Sequence, residues 1–242
     1  MRRAHVYKKC LSIRDRLYPR ETWATERYTG AVLTETSPGQ VLLDLGCGRT
    51  ATWLRAVTRR FTASLGVDPE VSDSSEGNMR LIRGSAYCIP CASHSVDIIS
   101  MRNLLEHLDA PGEAMAECLR VLKPGGTAFV LTPNKWFPPV ALGRLLPHSA
   151  RWRINRLLTG AGEADTFRAF YRANTSAALK QLARDAGFRS CMTEYISEQP
   201  VYFMFSVALY RCWAAFERLC LRRKTFAGFR HYILCKLGAP ES

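Results

Sequence analysis

A glycine-containing segment behind a short apolar run constrains the fold of this 242-residue chain more than any other feature. The run Val41–Leu45 reads VLLDL, and Gly46 and Gly48 follow it closely. Such a run is typical of a buried parallel strand, and the glycines let the backbone turn tightly and approach a ligand. Asp68 stands twenty residues after Gly48, where a carboxylate can bind both hydroxyls of a ribose. The pattern therefore predicts a nucleotide site at a strand–turn–helix junction.

Strands and helices alternate along most of the remaining chain. Apolar or alternating runs predict seven strands, at 41–45, 63–67, 79–83, 96–101, 127–131, 191–197 and 231–237. Amphipathic or helix-like stretches between them predict helices at 52–61, 111–122 and 175–186. This alternation is typical of an α/β fold with a doubly wound, mostly parallel sheet.

Three stretches interrupt the alternation within what we predict to be one domain, 1–242. Residues 1–37 are helical and basic, with a break at Tyr18-Pro19. Residues 135–173 contain several prolines and arginines, and we expect a lid-like insertion of short helices there. Residues 198–228 begin apolar and become basic, which predicts a helical insertion before the last strand.

The chain is strongly basic, with 34 Lys and Arg against 21 Asp and Glu and a formal net charge of +13. This balance favours acidic partners, such as nucleic acid, an anionic lipid or an anionic substrate. The basic stretches are not interleaved with aromatic residues as in a base-stacking surface. Solvated basic faces without any specific partner remain an alternative interpretation.

The nine cysteines follow no spacing pattern. Cys88 and Cys91 form a C-x-x-C pair, but no second pair stands at zinc-site spacing, so no metal site is predicted. The first residues carry no apolar signal region, and we therefore expect a cytoplasmic protein with reduced thiols.

The aspartate before the glycines discriminates between cofactors. The segment also fits the G-x-G-x-x-A form of a dinucleotide fingerprint. Asp44, however, precedes Gly46 by two residues, where a carboxylate would repel a pyrophosphate. It suits a ligand with an ammonium and a sulfonium, and S-adenosylmethionine has both as well as a ribose. A tight turn without a ligand stays open as a third interpretation.

Beyond this loop the sequence resembles the class I S-adenosylmethionine-dependent methyltransferases of the small-molecule type, whose fold is Rossmann-like. The resemblance covers about residues 39–134 and 166–196. Its motifs are VLLDLGCGR (41–49), LGVDPE (65–70), RGSAYCIPCASHSVDIISMRNLLEHL (83–108), LRVLKPGGTAFVLTPN (119–134) and FYRANTSAALKQLARDAGF (170–188).

The resemblance implies a set of cofactor contacts. Asp44 would bind the methionine ammonium, and Asp68 would bind the ribose hydroxyls. The other implied contacts are Gly46, Cys47 and Gly48 under the methionine and ribose, Pro69 beside the adenine, Ser85 and Ala86 at the adenine edge, and Met101 and Arg102 beside the sulfonium. The chain departs from the family pattern in having Thr50 for its third glycine and Ser85 for its adenine-binding aspartate.

Methyl transfer from a sulfonium is an in-line displacement, so the enzyme mainly aligns and desolvates the reactants. A base is needed only if the acceptor keeps a proton. His107, just after the fourth family strand, is the candidate base, because the carboxyl edge of such a sheet binds ligands. A helix-capping or structural histidine is the alternative. We expect Glu106 to be a supporting or surface carboxylate.

The first insertion would cover the acceptor. Its candidate lining residues are Trp136, His148, Trp152, Tyr171 and Arg172. Arg172 could clamp a carboxylate or phosphate of the acceptor, or it could pair with Asp165 and fix the lid.

Three interpretations of residues 200–224 stay open: a cap over the acceptor, a dimer contact, or a helix in the plane of a membrane surface. The last would suit a lipid-linked acceptor and would add peripheral membrane contact to a cytoplasmic protein. Residues 100–103 read SMRN rather than the [DNS]-P-P-[YFW] of amino-methylating nucleic-acid enzymes, which argues against a nucleic-acid acceptor.

The sequence thus predicts S-adenosylmethionine-dependent methyl transfer to a small-molecule or lipid- or glycan-linked acceptor. A non-catalytic binding protein of the same fold and an NAD-dependent oxidoreductase are the alternatives. The oligomeric state is not predicted.

Overall fold

The computed structural model describes residues 2–145, 168–198 and 203–241. Its strands are β1 (Val41–Leu45), β2 (Ala63–Asp68), β3 (Ser74–Glu76), β4 (Met79–Arg83), β5 (Val96–Arg102), β6 (Leu122–Pro133), β7 (Ser190–Ile196) and β8 (Tyr232–Gly238). Its helices are α1 (Arg2–Leu17), α2 (Ala24–Thr34), α3 (Thr52–Val57), α4 (Pro111–Val121), α5 (Pro138–Arg144), α6 (Ser176–Ala186) and α7 (Val207–Arg222). Short 3-10 helices lie at Arg20–Thr22, Thr58–Arg60, Leu105–His107 and Lys224–Phe229.

The strands form one sheet in the order β3-β4-β2-β1-β5-β6-β8-β7. β1 pairs in parallel with β2 and β5, and the β2–β4 and β5–β6 pairs are also parallel. The predicted α/β fold with a mostly parallel sheet is confirmed. The crossover after β1 lies where the strand order reverses, which is where such sheets bind ligands.

The prediction of seven strands is wrong, because within the described residues the sheet already has eight. The additional strand is β3, a three-residue strand that pairs antiparallel with β4 at the edge of the sheet. All three of its residues are exposed, so it has none of the apolar signal by which strands are recognised.

Two predicted elements differ from the structure by more than one residue at a boundary. The helix predicted at 52–61 ends at Val57 and continues as the 3-10 turn Thr58–Arg60. The strand predicted at 127–131 begins at Leu122, immediately after α4. This strand contains Gly125 and Gly126. A Cβ at Gly126 would lie 2.9 Å from the carbonyl oxygen of Lys123. Gly126 therefore allows the chain to fold tightly there rather than ending the strand.

The sheet core follows from the residues of its central strands. Four of the five residues of β1 are buried, as expected for a parallel strand covered on both faces. α4 is amphipathic and buries Ala114, Met115, Cys118 and Val121. It packs against α6, whose Leu179 and Ala183 are buried. α6 begins at Thr175, whose side chain accepts a hydrogen bond from the backbone N–H of Ala178.

The chain divides into two compact units. The sheet unit draws on residues 28–132, 169–194 and 233–242, and it contains the glycine segment. The helical unit draws on residues 1–27, 133–168 and 195–232. Within its described part, Cys10 and Ile13 of α1 pack with Met204 and Tyr210.

Candidate functional site

The glycine segment turns sharply between β1 and α3. Gly46 has φ +76° and Gly48 has φ +71°, both in the left-handed region that favours glycine. A Cβ at Gly46 would lie 3.0 Å from the side chain of Leu104, whereas the space beside Gly48 is open. The backbone N–H of Gly46 donates to the carbonyl of Val67 at 2.8 Å, which fixes the turn against β2.

Asp44 lies at the carboxyl end of β1 and is 1% exposed. Its Oδ1 accepts a 2.7 Å hydrogen bond from the hydroxyl of Ser100. Its Oδ2 is buried and has no hydrogen-bond partner among the described residues. Burial raises the pKa of Asp44 to about 6, and the nearby Arg102 opposes this shift. The structure therefore holds a half-satisfied carboxylate beside the glycine turn.

Tyr28 of α2 holds Ser100, the hydrogen-bond donor to Asp44, in place. Tyr28 was not identified from the sequence. Its hydroxyl lies 2.9 Å from Ser100 Oγ and 3.1 Å from the carbonyl of Phe129. The backbone N–H of Met101 donates to the same hydroxyl at 3.1 Å. Tyr28 is fully buried, so these bonds hold Ser100 in position to donate to Asp44.

Asp68 is fixed at the carboxyl end of β2 by backbone donors. The N–H of Gly48 donates to its Oδ2 at 2.9 Å, and the N–H of Glu70 donates to its Oδ1 at 2.9 Å. Asp68 is half-buried, and Pro69 beside it is exposed. The carboxylate is thus tied to the glycine turn while part of it faces solvent.

The predicted adenine-edge residues lie in the loop after β4. Ser85 is exposed, and its hydroxyl accepts a 3.2 Å hydrogen bond from the backbone N–H of Tyr87. Ala86 is buried. The hydroxyl of Tyr87 donates to Asp109 at 2.6 Å, which links this loop to the segment after β5.

Met101 and Arg102 end β5 and differ in their surroundings. The Met101 side chain is fully buried, with its sulfur 3.8 Å from the thiol of Cys118. The guanidinium of Arg102 lies 4.7 Å from the ring centre of Trp53 in α3. The Trp53 ring in turn contacts Tyr28, with 5.7 Å between ring centres. The guanidinium of Arg102 thus lies against Trp53, and its positive charge is near enough to Asp44 to oppose the rise in the pKa of that carboxylate.

Glu106 and His107 lie in the 3-10 turn after β5. Glu106 is 4% exposed, so of the two predicted alternatives the surface carboxylate is wrong, and the supporting carboxylate stays a prediction. Thr132 donates to its Oε2 at 3.1 Å, and its other oxygen lies 4.0 Å from Nε2 of the half-buried His107. Burial raises the pKa of Glu106 to about 7. The Glu106 carboxyl group is therefore only partly ionised near neutral pH, at a position beside His107.

Comparison with known proteins identifies the family. The family model described as a methyltransferase domain matches residues 9–191. The chain belongs to this methyltransferase family. Its recognition as a class I S-adenosylmethionine-dependent methyltransferase is confirmed.

The curated and solved relatives of this methyltransferase are distant. An uncharacterized methyltransferase of Mycobacterium sp. (strain KMS) is 37% identical over 112 residues, which is 44% of each chain. The match thus spans less than half the length of that relative. An S-adenosylmethionine-dependent methyltransferase of Mesorhizobium loti has a TM-score of 0.57 and 15% identity, over 89% of this chain and 98% of that one. One from Thermotoga maritima has a TM-score of 0.56 and 14% identity, over 98% and 99%. These two show the same fold.

The acceptor-lining residues predicted for the methyltransferase are spread over both units. Trp136 belongs to the helical unit and is 57% exposed. Tyr171 and Arg172 belong to the sheet unit, where Arg172 donates to the carbonyl of Asp109 at 2.5 Å. His148 and Trp152, like the predicted Arg172 partner Asp165, lie outside the described residues.

The polypeptide also closes over Glu106 of the methyltransferase. The backbone N–H groups of Phe170 and Tyr171 donate to the Glu106 carbonyl at 2.7 and 3.3 Å. Tyr171 has φ +54°, an uncommon value for a side chain of its size. These bonds attach residues 170–171 to the backbone at Glu106, and nothing in the local sequence signals this contact. Over the described ranges, no group of three or more metal-ligating side chains is present.

Proposed function

We propose that this methyltransferase transfers a methyl group from S-adenosylmethionine to a small-molecule acceptor, or to one linked to a lipid or glycan. The observation that carries the proposal is the buried Asp44 carboxylate beside the glycine turn, with one oxygen lacking a partner among the described residues. When bound, the cofactor supplies a methyl group activated by a positively charged sulfonium.

The site residues fit such a ligand in charge. An ionised Asp44 favours an ammonium group and disfavours the pyrophosphate of a dinucleotide. The cation would offset the cost of burying that carboxylate and supply a donor to its second oxygen. Asp68, fixed by the N–H groups of Gly48 and Glu70, keeps acceptor capacity for the ribose hydroxyls.

The open space beside Gly48 supports close approach of the ligand to the backbone. We assign the remaining contacts by family position. They are Gly46 and Cys47 to the methionine side, Pro69, Ser85 and Ala86 to the adenine, and Met101 and Arg102 to the end of β5 nearest the reacting group.

His107 is the proposed base for acceptors that keep a proton. The half-buried His107 lies at the carboxyl edge of the sheet, with the buried Glu106 carboxyl group 4.0 Å from its Nε2. Burial raises the pKa of Glu106 to about 7, so this carboxyl group is only partly ionised beside His107 near neutral pH. Glu106 acts through His107 and is a positioning residue.

The first test is calorimetric titration with S-adenosylhomocysteine, with NADH as the control ligand. We expect micromolar binding of the first and none of the second. Asp44→Asn keeps the size of the side chain and removes its charge, so we expect about a tenfold or larger loss of affinity. Asp185→Asn, at an exposed position of α6, is the matched control and should leave affinity unchanged. Unchanged affinity in Asp44→Asn, or tight NADH binding, would contradict the assignment.

Turnover separates an enzyme from a binding protein of the same fold. Transfer of labelled methyl from S-adenosylmethionine would be followed into small-molecule and lipid fractions of a cell extract. We expect a labelled product, and a loss of about a hundredfold or more in His107→Asn if the acceptor keeps a proton. Cofactor binding without any labelled product would favour the non-catalytic alternative.

A further inference from the structure

Helix α7 of the helical unit has an apolar side that its own unit does not cover. Tyr210, Ala214 and Glu217 face inward and are buried. The other side of the helix and the turn before it expose what we call the outer stripe: Phe205 in that turn, and Leu209, Phe216 and Leu219 in α7, which are 41–54% exposed. Leu209 and Phe216 are seven residues apart, so they share one helix face across two turns. An exposed, contiguous apolar stripe of this kind marks an interaction surface.

Basic side chains border the outer stripe. Arg211 and Arg218 are also seven residues apart and exposed, so they form a second line along the same helix. Exposed Arg223 follows the helix end. The only acidic residue of α7 is Glu217, which is buried. The surface of the helix thus combines apolar and positively charged side chains without an exposed carboxylate of its own.

The neighbouring helix extends the positive charge. α1 packs against α7 and exposes Lys8, Lys9 and Arg16. Its one acidic residue, Asp15, pairs with Arg14 at 2.6 Å. α1 therefore adds net positive charge to the helical unit, to which α7 also belongs.

We propose that α7 lies in the plane of an anionic lipid surface. The outer stripe would enter the boundary between headgroups and acyl chains, and Arg211 and Arg218 would bind lipid phosphates. Over the residues that the structure describes, no helix is long and apolar enough to cross a bilayer, so this contact is peripheral. The proposal goes beyond methyl transfer and does not depend on it.

A second copy of this chain fits the same surface less well. In a two-fold interface, the same patch of each copy faces the other. Such an interface would bring together two copies of a helix that exposes Arg211 and Arg218 and no carboxylate, and like charges across an interface are repulsive. An anionic membrane instead neutralises these arginines while it accepts the apolar side chains.

The test is co-sedimentation of the full chain with phosphatidylcholine vesicles, with and without phosphatidylglycerol. We expect binding to the anionic vesicles that weakens as salt is raised, and little binding to the neutral ones. The double variant Leu209→Gln/Phe216→Gln should bind at least about tenfold more weakly, because two apolar side chains are lost from the interface. Arg211→Gln and Arg218→Gln should each weaken binding about fivefold.

Matched controls lie in the sheet unit. Met192→Gln removes an apolar side chain that is 58% exposed, and Arg59→Gln removes an exposed charge. Both should bind as the parent does. All substituted positions are exposed, so unchanged thermal unfolding would show that the variants stay folded. Failure to bind anionic vesicles, or an equal loss in the controls, would overturn the proposal. So would a dimer in light scattering that Leu209→Gln/Phe216→Gln dissociates, since this would assign the stripe to a second copy.

Discussion

The Ser100 hydroxyl donates a 2.7 Å hydrogen bond to Asp44 Oδ1, and this leaves Oδ2 buried with no partner among the described residues. With its pKa raised to about 6, Asp44 is mostly protonated at pH 5 and mostly ionised at pH 7. An ammonium ligand binds the ionised form. We therefore expect the affinity for S-adenosylhomocysteine to rise about tenfold from pH 5 to pH 7.

Calorimetry at several pH values measures this dependence and the proton released on binding. Asp44→Asn should bind weakly with an affinity that no longer changes over this range. A dependence that survives in Asp44→Asn would assign the titration to another group.

Tyr28→Phe should destabilise the protein by about 1–3 kcal/mol. The substitution removes one hydroxyl and leaves the Met101 N–H and the Ser100 hydroxyl without their buried partner. Urea unfolding measures the loss. Tyr7→Phe, at a position that is 50% exposed, is the control and should change the free energy of unfolding by less than about 0.5 kcal/mol. Equal stability of Tyr28→Phe and the parent would refute the supporting role of this hydroxyl.

Gly66→Ala and Gly30→Ala should have opposite effects on stability. A Cβ at Gly66 would lie 2.7 Å from Leu81 Cδ2, 2.9 Å from Leu54 Cδ2 and 3.0 Å from Cys47 Sγ. Overpacking there should cost about 1–3 kcal/mol. A Cβ at Gly30, within α2, meets no atom within 4 Å, and alanine there should stabilise the protein by up to about 1 kcal/mol. Thermal unfolding of both variants tests the pair, and the same sign of shift in both would contradict it.

Glu217→Gln should stabilise the protein at pH 8 and have little effect at pH 4. Burial raises the pKa of Glu217 from 4.5 to about 7, so the folded state takes up a proton more readily than the unfolded chain. Its contribution to stability is therefore largest below pH 4.5 and is lost as the pH rises to about 7. Glutamine resembles the protonated form and can still accept the hydrogen bond from Tyr18. The gain at pH 8 should be up to about 3 kcal/mol.

Melting temperatures at the two pH values measure this difference. Glu26→Gln, on the exposed side of α2, is the matched control and should behave as the parent at both. A variant that is less stable than the parent at pH 8 would show that the Glu217 carboxylate is stabilising when ionised.

Local sequence patterns predicted the central sheet and the position of the glycine turn. The apolar composition of Val41–Leu45 was enough to predict a buried strand. Gly46 was enough to predict a tight turn, and its backbone is left-handed. The assignment of individual cofactor and acceptor contacts stays a prediction.

What the sequence could not show depends on contacts between distant residues. Tyr28 meets Ser100 across 72 positions, and no local pattern in an amphipathic helix signals a hydroxyl partner. The backbone N–H groups of Phe170 and Tyr171 donate to the carbonyl of Glu106, which is also distant in sequence. β3 escaped detection because its pairing with β4, rather than any apolar side chain, makes it a strand.

The hydrogen bond from Tyr18 to Glu217 joins residues 199 positions apart. During synthesis, α1 leaves the ribosome long before α7 does. Until then, its apolar Cys10 and Ile13 are without their packing partners Met204 and Tyr210. The strands β1, β2, β4, β5 and β6 can pair before that point. The helical unit is therefore completed late in translation, and until then α1 is a nascent segment that chaperones and proteases can reach.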